Sequence, residues 1–109
     1  MGKTLKGVFP ALPTPFLDDL SVDYASLERV VEFTVSAGAH GLLAVDMPGE
    51  FFALTDEERR SCVEVILKTA GGRVPVAVNV SAASEEQSFL FAEHAAKAGA
   101  AAIVTTPPF

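Results

Sequence analysis

Short apolar segments recur along this sequence of 109 residues, and segments with helical periodicity separate them. The apolar segments begin near residues 8, 42, 75 and 102, and residues 41–45 are continuously apolar rather than alternating. Continuous apolarity is typical of strands in parallel sheets, which are covered on both faces. A repeat of about 30 residues is the length of a βαβ unit. The sequence therefore predicts an α/β fold with four parallel strands and three intervening helices.

Capping residues mark where the helices begin. Asp23 precedes the first helical pattern, and both Thr55-Asp56-Glu57-Glu58 and Ser84-Glu85-Glu86-Gln87 have the form of a capping box. Each helical pattern ends at a glycine, the residue most compatible with a left-handed helix end, at Gly38, Gly71 and Gly99. We therefore expect three well-delimited helices.

Two architectures share this alternation of strands and helices: an open doubly wound sheet and the eight-stranded (β/α)₈ TIM barrel. Dinucleotide-binding sheets carry G-x-G-x-x-G after the first strand, whereas this chain has Leu12-Pro13-Thr14-Pro15-Phe16 there. We therefore favour the barrel. Residues 1–109 are predicted to be one partial TIM-barrel domain, the N-terminal half, with the C-terminal half absent.

The charge and hydropathy of the chain disfavour several partners. Its formal net charge is -6, and its eight Lys and Arg residues are scattered. Nucleic acids and anionic membranes both require clustered basic residues. The sequence has neither a leader-like start nor an apolar run of the about 18 residues that cross a bilayer. We expect a cytoplasmic protein that binds no nucleic acid or membrane.

The cysteine, histidine and lysine side chains give no sign of a catalytic centre. Cys62 lies in an apolar helical pattern, as a buried structural thiol does. His40 precedes a strand and His94 lies on a helix, so both are interpreted as packing or surface residues. Lys68 and Lys97 lie near helix ends, away from the strand ends where barrel enzymes place catalytic groups. No cluster has metal-ligand spacing, so no metal site is predicted.

Four runs of residues resemble one known family over nearly the whole chain. They are Phe9-Pro10-Ala11-Leu12-Pro13-Thr14-Pro15-Phe16, then Pro48-Gly49-Glu50 with Leu54-Thr55-Asp56-Glu57-Glu58-Arg59, then Arg73-Val74-Pro75-Val76, and finally Thr106-Pro107-Pro108-Phe109. Their order and spacing resemble the dihydrodipicolinate synthase and N-acetylneuraminate lyase family.

This resemblance implies an activity, a substrate class and a quaternary structure. Members of the family are (β/α)₈ barrels that bind pyruvate or a related 2-oxo acid as a Schiff base on a lysine, then make or break a carbon–carbon bond. They need no cofactor and are commonly dimers or tetramers. The lysine of strand six and the acid-base tyrosine of strand five have no counterpart here. We therefore expect no catalytic residue in these 109 residues, and an inactive chain if it is alone.

The resemblance also assigns a substrate-binding loop. The family loop after strand two usually reads Gly-Thr-Thr-Gly-Glu and holds the substrate carboxylate, and the residues here are Asp46, Met47, Pro48, Gly49 and Glu50. Met47 and Pro48 offer no hydroxyl, and Pro48 has no N–H. Asp46 adds a negative charge that disfavours a second anion.

A role for Glu50 and two further residues complete the candidate site. We expect Glu50 to be a buried or half-buried carboxylate that accepts from N–H groups of its own loop, rather than a general base. Pro107 and Phe109 occupy the place of the family's active-site or interface loop after strand four, where the family has a tyrosine.

Two alternatives to the lyase stay open. One is a non-catalytic half-barrel that assembles or binds through its exposed strand edges, either as a homo-oligomer or with another half-barrel. The other is a fragment of a divergent dehydratase of the same family. The identity of the 2-oxo acid is not defined by these residues.

Overall fold

Three parallel strands and three α-helices alternate along residues 5–106, which are the residues that the computed structural model describes. The strands form one sheet in the order β1-β2-β3, with Leu42 beside Val76 and Ala77 beside Ala102. This confirms the α/β class. In chain order the elements are α1 (Tyr24–Ser36), β1 (Leu42–Ala44), α2 (Asp56–Ala70), β2 (Val76–Asn79), α3 (Glu85–Ala98) and β3 (Ala102–Val104).

The sheet of residues 5–106 has three strands rather than the predicted four, because the first predicted strand adds only a single bridge. Ala11 pairs in parallel with Leu43, on the side of β1 away from β2. Pro10 accepts from the Leu43 N–H at 2.9 Å but has no N–H of its own to donate. The Val8 N–H donates to the ring Nδ1 of His40 at 2.8 Å instead of to a backbone carbonyl. These two residues interrupt the ladder.

The helices begin at the predicted caps, with one difference. The Asp23 carboxylate accepts from the Ser26 N–H at 3.0 Å. Thr55 and Glu58 form the complete capping box that precedes α2. Ser84 accepts from the Gln87 N–H, but the Gln87 side chain donates to the carboxylate of Asp56 at 2.7 Å. The predicted second capping box is therefore half formed, because Gln87 links α3 to α2 instead.

The core lies between the sheet and the helices, and α2 packs against both α1 and α3. All four residues of β2 are buried, whereas β3 is only partly covered and the Ile103 side chain is 51% exposed. Phe89 and Leu90 on α3 are also exposed. The flank formed by α3 and β3 is therefore the apolar, uncovered side of the molecule. Among residues 5–106, no helix has the length and hydropathy needed to cross a membrane.

Candidate functional site

The carboxyl ends of the three strands bring polar residues to one edge of the sheet. Asp46 follows β1 closely, Ser81 follows β2, and Thr106 follows β3. Because the strands are parallel and adjacent, these positions are neighbours. Barrel enzymes place their catalytic and binding residues at this edge.

Residues 46–50 form a tight turn at this edge, which we name the 46–50 turn. Met47–Gly49 is a single 3₁₀ turn, closed by the Gly49 N–H donating to the Asp46 carbonyl at 2.9 Å. Val45 before it and Glu50 at its end have φ of 50° and 54°, the left-handed region that non-glycine residues rarely adopt. Local backbone strain therefore brackets the turn.

The 46–50 turn packs tightly against the end of the first apolar segment. Gly49 is buried, and a Cβ on it would lie 3.1 Å from both the Leu12 carbonyl oxygen and Thr14 Oγ1. Thr14 is itself buried at 7% exposure, and its hydroxyl has no hydrogen-bond partner within residues 5–106. A glycine at position 49 thus lets the turn approach the Thr14 hydroxyl closely.

The structure places the predicted substrate-binding residues together, but not all as expected. Met47 is 63% exposed, Pro48 and Glu50 are exposed, and Gly49 is buried. The expectation that Glu50 is buried and accepts from its own loop is wrong. The N–H groups of Gly49 and Glu50 already donate to the carbonyls of Asp46 and Met47, so they are not available to the carboxylate. Pro107 and Phe109 lie outside the described residues.

A buried amide joins the strand ends behind the turn. Asn79, the last residue of β2, is 1% exposed. Its Nδ2 donates to the Val45 carbonyl at 3.0 Å, and its Oδ1 accepts from the Ser81 hydroxyl at 2.7 Å. The Ser81 Oγ in turn accepts from the Thr106 N–H at 2.8 Å and lies 3.0 Å from Thr106 Oγ1. Since the single Ser81 hydroxyl proton goes to Asn79, the Thr106 hydroxyl is the donor to Ser81.

A buried arginine holds the same strand end from the helix side. The Arg59 guanidinium donates to the Ser81 carbonyl at 2.8 Å and to the Asn79 carbonyl at 3.0 Å. It stacks 3.9 Å from the centroid of the Phe91 ring and 5.1 Å from that of Phe51. Burial lowers the pKa of Arg59, and its Nε has no hydrogen-bond partner within residues 5–106. Arg59 therefore fixes the β2–α3 connection to α2.

The other reactive residue types lie away from this edge. Cys62 is fully buried, and burial raises the pKa of its thiol to about 11. His40 is an acceptor for the Val8 backbone, and His94 pairs with Glu64 at 2.8 Å. Lys68 and Lys97 lie in the last turns of α2 and α3. Among residues 5–106 no group of three or more His, Cys, Asp and Glu side chains could hold a metal.

Sequence reasoning missed the roles of Asn79, Ser81 and Arg59. Asn79 could have been noticed as a polar residue inside the apolar run of a strand that is covered on both faces, because such a side chain must find partners. Arg59 gives no such signal, since an arginine in the first turns of a helix is usually exposed.

Comparison with known proteins identifies the family. The model of the dihydrodipicolinate synthetase family matches residues 4–109. The chain is 38% identical to the L-2-keto-3-deoxyarabonate dehydratase of Azospirillum brasilense and 42% identical to the 4-hydroxy-tetrahydrodipicolinate synthase of Phenylobacterium zucineum, covering 95% and 94% of this chain. It also superposes on YagE of Escherichia coli K12, solved in complex with pyruvate, with a TM-score of 0.91, 28% identity and 94% of this chain covered.

These matches extend over most of this chain but only part of the relatives. The chain spans 34% of the dehydratase, 35% of the synthase and 35% of the YagE chain, about a third of each. The parallel α/β fold described above agrees with the superposition on YagE. The chain belongs to the dihydrodipicolinate synthetase family.

Proposed function

We propose that this chain is the N-terminal part of a cytoplasmic Schiff-base lyase that acts on pyruvate or a related 2-oxo acid. Membership of the family and the pyruvate held by YagE support the substrate class. The parallel sheet, open at β3, supports the interpretation that residues 1–109 are the N-terminal half of a (β/α)₈ barrel. The full barrel then supplies the catalytic lysine from outside these residues.

The packing of the 46–50 turn against Thr14 is the observation that carries this proposal. A 2-oxo acid carboxylate needs hydrogen-bond donors at the strand ends. The side chains of Met47 and Pro48 cannot donate. The hydroxyl of Thr14, which has no hydrogen-bond partner within residues 5–106, lies next to Gly49 of the 46–50 turn. We propose that Thr14 provides a hydroxyl that the turn lacks, with Gly49 required for its close approach.

The negative charge of Asp46 then tunes affinity for the substrate. Its half-buried carboxylate lies at the strand edge where the substrate anion is proposed to bind. Like charges at close range disfavour each other. Replacing Asp46 by Asn is therefore expected to tighten binding of pyruvate.

The proposed chemistry begins with condensation of the lysine and the 2-oxo acid, and a carbon–carbon bond is then formed or broken. The neutral amine of the lysine attacks the ketone carbon of the 2-oxo acid, and the resulting carbinolamine takes up one proton at its hydroxyl and loses water, which leaves a protonated imine. That cation accepts the electron pair released when the adjacent carbon loses a proton or a carbon substituent. Within residues 1–109 the contribution is to bind and orient the carboxylate rather than to form the imine.

Borohydride reduction in the presence of pyruvate tests the proposal, because it converts an imine into a stable secondary amine of increased mass. For the complete gene product we expect one adduct, mapped by peptide mass spectrometry to a lysine outside residues 1–109. The 109-residue chain is expected to give none. A specific adduct on one of its own lysines, or the absence of an adduct in the complete product, contradicts the proposal.

Matched threonine variants test the role of Thr14. Thr14→Val keeps the shape of the side chain and removes the hydroxyl, and it is expected to raise the half-saturating pyruvate concentration by about tenfold, the cost of one lost hydrogen bond to a charged group. Thr105→Val, at an exposed position on the same edge, serves as the control and should change the half-saturating pyruvate concentration little. Equal effects of the two variants contradict a direct role for Thr14.

Assembly through the α3–β3 flank is a second proposed function, favoured by the exposure of Phe89, Leu90 and Ile103. Apolar flanks next to an open strand edge recruit another chain. Sedimentation velocity of the 109-residue chain should show self-association, and Leu90→Glu should reduce it. A concentration-independent monomer contradicts this proposal.

A further inference from the structure

The side chain of Asn79 bonds across the end of the β1–β2 contact. The register pairs Ala44 with Val78, so the next pair along the two strands is Val45 with Asn79. Val45 is outside β1, and its carbonyl accepts from Asn79 Nδ2 at 3.0 Å instead of from a backbone N–H. The amide thus extends the β1–β2 contact by one residue.

That bond holds a residue in an unfavourable conformation. Val45 has φ of 50°, in the left-handed region that a β-branched side chain rarely adopts. Such a conformation persists only where its surroundings fix it. Val45 is only 2% exposed, so packing fixes its side chain, and the hydrogen bond from Asn79 fixes its backbone carbonyl.

Val45 directly precedes the 46–50 turn. A change of its φ from left-handed to extended would redirect the chain into the turn and move Gly49 away from Thr14. The other end of the same amide acts on β3, because Asn79 Oδ1 accepts from the Ser81 hydroxyl, which accepts from the N–H of Thr106. The Asn79 side chain is therefore linked directly to Val45, which follows β1, and through Ser81 to Thr106, which follows β3.

We propose that Asn79 is a positioning residue of the candidate site: it locks Val45 in the left-handed conformation and thereby places the 46–50 turn for carboxylate binding. This inference rests on the proposed function for its role in substrate binding. The conformational part stands on the hydrogen bond and the backbone angle alone.

Nuclear magnetic resonance of the labelled 109-residue chain tests the conformational part. In the wild type we expect Val45 Cα and Cβ shifts of a left-handed residue and an Asn79 side-chain amide that is protected from exchange. Asn79→Asp keeps the acceptor for Ser81 and removes the donor to Val45, so the Val45 shifts should move toward extended values at neutral pH. Acidification should reverse this, because a neutral carboxyl group can donate through its O–H.

Ser81→Ala is the matched control, since it removes the contact to Thr106 and leaves the bond to Val45. It should shift the signals of Thr106 and leave those of Val45 in place. Extended shifts at Val45 in the wild type, or identical effects of the two variants, overturn the inference. Where Asn79→Asp does not fold, the wild-type Val45 shifts still test the left-handed conformation, and protection of the Asn79 side-chain amide still tests the bond that holds it.

Borohydride trapping of the complete gene product tests the binding part. Asn79→Asp is expected to raise the half-saturating pyruvate concentration by roughly tenfold or more at neutral pH, as expected for a displaced binding group, and to recover on acidification together with the Val45 shifts. If Val45 moves and the half-saturating concentration does not, the positioning role is wrong while the lyase stands. If the wild type forms no adduct, the lyase fails and the Val45 measurement still reports on Asn79.

Discussion

Replacing Arg59 by methionine tests how the β2–α3 connection is held. Methionine has a similar length and can keep the contact with the Phe91 ring, but it cannot donate to the carbonyls of Asn79 and Ser81. Arg59 is only 5% exposed, so solvent does not readily replace the lost donors. The substitution therefore leaves two acceptors without their buried partner.

The expected loss is about 2–4 kcal/mol in the free energy of unfolding. Each of the two acceptors left unsatisfied costs about 1–3 kcal/mol, and the loss of the cation–π contact adds about 1–2 kcal/mol. Against this, burying the guanidinium costs several kcal/mol, which the methionine does not incur. The net value is a large fraction of the about 5–15 kcal/mol that stabilises a domain. It corresponds to a fall in Tm of roughly 10–20 °C.

Urea unfolding followed by circular dichroism measures this difference, with Arg60→Met as the control on the neighbouring, half-buried arginine. Arg59→Lys keeps the charge but cannot donate to both carbonyls in the guanidinium geometry. Its free energy of unfolding should lie between those of the wild type and Arg59→Met. If the free energies of unfolding of Arg59→Met and Arg60→Met differ by less than about 0.5 kcal/mol, the desolvation cost of Arg59 cancels its two hydrogen bonds and the reasoning is refuted.

Three smaller perturbations give further predictions. Thr55→Ala removes the complete capping box and should cost about 1 kcal/mol in urea unfolding, more than Ser84→Ala at its half-formed counterpart; equal costs would contradict the assignment. Cys62 should react with a thiol reagent at pH 8 only as fast as the chain unfolds, because its thiol is buried and its pKa is about 11; rapid labelling of the folded chain would contradict this. Hydrogen bonds from Ser26 lower the pKa of Asp23 below its ordinary value, so the ionised cap contributes stability above that value and the contribution is lost as pH falls through the lowered one. The difference in Tm between wild type and Asp23→Ala should therefore shrink in acid, and a difference independent of pH would be evidence against it.

The helices were predictable because their signals are local. A capping box and a terminal glycine act within a few residues, and Thr55 with Glu58 and Gly71 behave in the structure as their spacing indicates. The strands predicted to begin near residues 42, 75 and 102 also exist, because continuous apolarity reports burial on both faces.

The remaining features depend on residues far apart in the sequence. The first predicted strand does not form a regular ladder with β1, in part because the Val8 N–H donates to the ring of His40, 32 positions away. The Gln87 side chain donates to the Asp56 carboxylate, 31 positions away, and so does not complete the cap of its own helix. Each outcome is a choice among competing hydrogen-bond partners, which only the folded arrangement decides.

The unequal burial of the three strands sets the order in which the sheet opens. Amides with few apolar contacts around them exchange through local opening at low free energy, whereas those of a covered strand exchange only near global unfolding. By this criterion β2 is the last strand to open and β3 the first, because every residue of β2 is buried and Ile103 faces solvent. Thr106 lies just beyond β3. Its hydrogen bond to Ser81 therefore joins the part of the candidate site that opens most easily to the part that opens last.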